Sequence, residues 1–136
     1  MTKTNRIIIG FLGISMFMFG TLKFLNPFKS WYSTQIAKSE LPFPILSYWI
    51  GQIGEIVVGA VLVYLLLKSS NLSQRTVNRV FYIAHVSIII MMFVAFYVHL
   101  HPNVPSEVLP LRIGPPIIPS FFIIAATVNI YLKVKK

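Results

Sequence analysis

The residues best placed to do chemistry in this chain are Glu55, Lys23, Gln52 and His85, polar or ionisable groups set within or at the end of long apolar runs. An acid at the centre of a bilayer costs on the order of 2.5 to 3.5 kcal/mol on insertion scales, so it normally faces a protein interior, takes a partner or holds a proton. Glu55 is one of three acids in the chain. At the helical rise it lies about 15 Å beyond Ile45, close to the midplane of a span. Gly51, Glu55 and Gly59 share one helical stripe, where small residues let another helix approach the acid.

Lys23 has two readings. It is a lysine that snorkels to the membrane surface, or it is the partner of Glu55: in antiparallel neighbours the two side chains lean toward each other. Helical rise leaves an axial gap of roughly 8 to 11 Å between them, marginal for direct contact, so Gln52, His85 or water is expected to bridge it. His85, about 10 Å inside its own run, is either a helix-to-helix hydrogen bonder or a ligand group. Trp31, Tyr48 and Trp49 are aromatic anchors at the headgroup level, or they line the way into a pocket. In a locally extended loop, His99 and His101 point to one side and Glu107 adds an oxygen ligand, which makes a weak metal-binding pattern with no fourth ligand.

The elements that position these groups follow from composition. A chain of 136 residues that is 56% hydrophobic and 11% charged, with mean hydropathy +0.76, is too apolar for a soluble domain. It reads as a single transmembrane domain. The expected fold is all-α: an integral membrane four-helix bundle with spans at about 7–25, 45–67, 80–100 and 114–132. The first run lacks a small-residue cleavage site and reads as a retained helix, not a signal peptide. Between the first two spans, Asn26-Pro27 resembles an N-cap and first helical residue, and Phe28, Trp31, Tyr32 and Ile36 recur at helical spacing. A short interfacial helix is expected there.

The formal charge of +9 does not point to nucleic acid, because the basic residues flank apolar runs and read as topology signals. Lys3, Arg6, Lys68, Arg75, Arg79, Lys133, Lys135 and Lys136 fall on one side; Lys23, Lys29, Lys38 and Arg112 fall on the other. Both termini are therefore expected in the cytoplasm of a bacterial inner membrane. The chain has no cysteine. It can form neither a disulfide nor a thiolate site, so any redox chemistry needs a bound cofactor or a partner.

Gly20-Thr21-Leu22-Lys23-Phe24, Asn26-Pro27, and Gly54-Glu55 with Gly59, set in a four-span layout, resemble the DoxX-like family of four-helix integral membrane proteins. The resemblance implies that fold across the chain. Some members resemble a subunit of a thiosulfate:quinone oxidoreductase or are linked to membrane oxidoreductase complexes, and related eukaryotic proteins act as assembly chaperones for receptors. Two functions follow as expectations. One is a small subunit or accessory of a membrane redox complex, binding a quinone or other apolar ligand near Glu55, with Lys23, Gln52, His85, Trp31, Tyr48 and Trp49 around it. The other is a non-enzymatic assembly or interaction protein whose glycine-faced helices pack on client spans.

Overall fold

A computed structural model describes residues 1–135, and its regular structure is helical throughout. The first helix, α1 (Lys3–Leu22), starts earlier than its apolar run because Thr2 and Asn5 cap it reciprocally. The Asn5 N–H donates to Thr2 Oγ1 at 3.0 Å, and the Thr2 N–H donates to Asn5 Oδ1 at 3.3 Å. A short helix, α2 (Phe28–Lys38), follows, with Tyr32 and Ile36 buried. Asn26 does not cap it: Pro27 occupies the N-cap position, and no side chain caps the helix. Pro44 opens α3 (Pro44–Lys68), and Ser73 caps α4 (Gln74–Leu100) through the Thr76 N–H. The last helix is α5 (Ile117–Val134).

The helices α1, α3, α4 and α5 are each long and apolar enough to cross a membrane. They pack as a closed ring, with α1 against α3 and α5, and α4 against the same two. Ile9, Leu12, Met16, Leu62, Leu65, Phe81, Ile88, Phe122 and Ala126 fill the space between them. Large apolar side chains also cover the outside, among them Ile14, Leu67, Ile83, Ile90, Phe121 and Ile124. Such continuous outward apolar surface suits lipid.

The closest seam is α1 against α3, and glycine makes it possible. A Cβ at Gly59 would meet the backbone of Phe17 and lie 2.8 Å from the Gly13 oxygen; one at Gly20 would lie 3.0 Å from the Gln52 oxygen and 3.0 Å from the Ile56 nitrogen. Backbones therefore touch, and their register is fixed. At one end Arg6 ties the seam off, donating to Ser69 Oγ and to the Leu66 oxygen, both at 3.0 Å. At the other end the stretch between α4 and α5 folds over α2. Val98, Val104 and Leu109 are buried beside Leu41, the Gln35 amide donates to the Val108 oxygen, and Asn103 Nδ2 donates to Glu40 Oε1 at 2.8 Å.

Gly59→Ala is expected to cost on the order of 1 to 3 kcal/mol, because the backbone it would strike cannot swing aside. Gly114→Ala, with nothing within 4 Å of the added carbon, is the control and should change little. Thermal unfolding of both variants in detergent checks this, and equal midpoints would remove the glycine seam as a determinant of the fold.

Candidate functional site

Lys23 is the residue that caps the C-terminal end of α1, and its ammonium donates directly to Glu55 Oε1 at 2.7 Å. No bridging residue is needed. The glycine register explains the difference from the gap expected from helix lengths alone: Gly20 lies level with Gln52 and Ile56. Glu55 is therefore only about one turn inward of the level of Lys23, within the reach of a lysine stem. Both side chains are largely withdrawn from solvent, at 17% and 12% exposure. Burying such a pair is costly unless every lone pair and proton is used, and among the described residues Glu55 Oε2 has no partner.

Tyr32 holds the pair from above. Its ring centroid lies 3.9 Å from Lys23 Nζ, and its hydroxyl donates to the Tyr48 oxygen at 3.0 Å. Gly51 makes room for it, since a Cβ there would strike the Tyr32 hydroxyl. Burial, and then the nearby Glu55 carboxylate, push the Tyr32 phenol well above its ordinary range. Helical spacing alone places Tyr32 in an apolar stripe and does not reveal this role; its one signal in the sequence is Gly51, four residues before Glu55.

Gln52 lies one turn from Glu55, is fully buried, and has no hydrogen-bond partner at either amide atom among the described residues. It forms part of the wall of a cleft of about 490 Å³ that Lys23, Phe24, Lys29, Ser33, Tyr48 and Trp49 also line. Tyr48 packs on Tyr32 and on Trp49, with centroids 4.8 and 5.4 Å apart. Trp31 stands apart from the cleft lining, edge-on to Phe28 at 5.4 Å and under the Arg112 guanidinium at 5.8 Å. The lining of the cleft thus combines apolar surface, two lysines and a residue whose amide is unsatisfied.

His85 belongs to a different cluster. Its ring stacks on Phe81 at 4.0 Å, Nδ1 lies 2.7 Å from the Phe81 oxygen, and Nε2 lies 2.8 Å from Asn129 Nδ2. The Asn5 amide then donates to Asn129 Oδ1 at 2.7 Å. No hydrogen bond joins His85 to Lys23, Gln52 or Glu55 among the described residues. His99 is still helical and buried, with Nδ1 unpartnered, whereas His101 lies just past α4, accepts from the Asn103 N–H at 3.3 Å and sits 4.0 Å from Glu40 Oε2. Glu107 is exposed in a short turn. Among the described residues no three His, Cys, Asp or Glu side chains gather in a way that could hold a metal ion.

No protein-family model, curated protein or solved structure matches this chain.

Gln52 gives the sharpest test of whether this cleft is more than packing. A buried amide left without partners costs on the order of 1 to 3 kcal/mol, so Gln52→Leu should leave the fold equally or more stable in ligand-free detergent. A clear loss of thermal stability would mean that the amide has a structural partner after all.

Proposed function

We propose that this chain is an integral membrane protein of the DoxX-like kind, a four-helix bundle with α2 lying along the outer interface and both termini in the cytoplasm of a bacterial inner membrane. In this reading it is a small accessory subunit of a membrane redox complex and binds a quinone or another apolar molecule with a hydrogen-bonding head. The observation that carries the reading is the Lys23–Glu55 ion pair, with one free carboxylate oxygen, beside a cleft walled by the unpartnered Gln52 amide. A quinone carbonyl can accept from Gln52 Nε2. Reduction of a bound quinone would need two electrons from a partner's centre and two protons from the aqueous phase, and the quinol hydroxyl would then have Glu55 Oε2 as an acceptor. Tyr48, Trp49 and Phe24 offer the apolar surface for the rest of the molecule.

The assembly-protein reading has less support. It needs glycine faces free to meet client helices, and Gly13, Gly20 and Gly59 are already taken up in the α1–α3 seam. Glu55→Gln separates a structural acid from a working one. The amide keeps the shape and still accepts from Lys23, so the variant should insert and fold, while quinone binding weakens about tenfold with the loss of a charged acceptor. Absence of saturable quinone binding by the unsubstituted, purified protein would overturn the quinone reading. For orientation, a cysteine introduced at Ser70 should resist impermeant labelling from outside intact cells, and efficient external labelling would invert the topology.

A further inference from the structure

The charge balance of the cleft says more about its occupant than its shape does. The chain has three acids. Glu55 is matched by Lys23 at 2.7 Å, Glu40 bonds Asn103 and faces His101, and Glu107 lies exposed in the stretch between α4 and α5. Among the described residues none is left for Lys29. That lysine is exposed on the first turn of α2, makes no ion pair among the described residues, and lines the cleft together with the exposed Asn26 and Ser33. With Lys23 cancelled by Glu55, the cleft carries one uncompensated positive charge and a surplus of donors on its rim. Gln52 also lines the cleft, fully buried and with both amide atoms unpartnered among the described residues.

A neutral ring would satisfy Gln52 and leave the rim unused. A free anion would satisfy the rim and leave the amide and the Phe24 and Trp49 surfaces bare. One molecule that meets all three has a negatively charged head, an adjacent neutral polar group and an apolar tail. Tyr48 and Trp49, which line the cleft, are residue types that favour the level of lipid headgroups.

We propose that the cleft binds an anionic amphiphile, a membrane lipid whose phosphate-type head rests on Lys29 and Ser33 while a neutral polar group of the same molecule, such as an ester or hydroxyl, reaches Gln52. The inference rests on reading the cleft as a ligand site and replaces the neutral quinone head with an anionic one, so the two occupants are alternatives that direct binding separates. The lipid tail runs out along Phe24 and Trp49 into the bilayer, so the ligand arrives from within the membrane.

The test uses the full chain purified in an uncharged detergent, with tryptophan fluorescence as the readout. The probes are dioctanoyl phosphatidic acid, dioctanoylglycerol with the same tails and no phosphate, and inorganic phosphate. The phosphatidic acid should bind saturably and at least fivefold more tightly than dioctanoylglycerol. Lys29→Gln, on the protein surface, should lose about that factor, the worth of one lysine near an anionic surface. Gln52→Leu should weaken both lipids together. Equal binding of the two lipids, still dependent on Gln52, would overturn the anionic head and leave the ligand cleft standing. Inorganic phosphate competing at the same concentration as the lipid would overturn the lipid as its source. No saturable binding by any probe, with quinone also failing, would overturn the cleft as a ligand site.

Discussion

Contact between the backbones of α1 and α3 is the constraint on which the rest of this structure depends. Two antiparallel helices with large residues at the seam would stand about 8 to 10 Å apart and could slide past one another by a turn at modest cost. With Gly13, Gly20 and Gly59 at the crossing, the backbone of one helix lies against that of the other and sliding is blocked. Register then decides chemistry. It sets Lys23 one turn outward of Glu55, so that a side chain at the end of α1 reaches a carboxylate that lies well inside α3.

The α2 segment depends on the same seam. Tyr32 can place its ring over Lys23 only where Lys23 is held, and it can insert its hydroxyl toward α3 only where Gly51 leaves space. Two tight corners lead into and out of this region. Glu40 and Phe43 on one side, and Leu111 and Arg112 on the other, have positive φ values of 51 to 62°. Such conformations are unfavourable for residues with a Cβ and persist only where their surroundings enforce them. Here the surroundings are the buried Val98, Val104 and Leu109 cluster and the Gln35 bond to Val108, which lock the α4–α5 stretch onto α2.

Much of this was legible in the sequence, for physical reasons that differ from element to element. The four long helices follow from apolar run length alone, which the bilayer thickness makes a strong signal. The ends were less legible: Thr2 and Asn5 extend α1 toward its N-terminus beyond the apolar run, and Lys23 ends it sooner than Asn26-Pro27 suggested. Glu55 and Lys23 could be paired from the direction in which helical side chains lean, yet their separation could not be calculated. That distance depends on interhelical register, which is a property of the glycine contacts and not of either helix by itself. His85 was grouped with Glu55 because depth is readable from sequence and azimuth is not. Its true neighbours, Asn129 and Asn5, lie on helices far away in the chain.

The two buried polar clusters are a comparison built into one molecule. In the first, each polar group has a partner of the right kind: Thr2 to Asn5, Asn5 to Asn129, Asn129 to the ring of His85, and His85 to the Phe81 oxygen. That pattern is the one expected of a neutral imidazole with its proton on Nδ1, and it leaves nothing to offer a ligand. Satisfied networks of this sort specify which helices meet and in what order. In the second cluster the ion pair is made, but among the described residues Glu55 Oε2 and both amide atoms of Gln52 are left over, and of these two residues Gln52 lines the cleft. A sequence selected for packing alone would place leucine at position 52, with similar volume and no desolvation cost. The Gln52 amide is therefore a cost that the packing of α1 against α3 does not require, and it stands one turn from the carboxylate at the end of that seam.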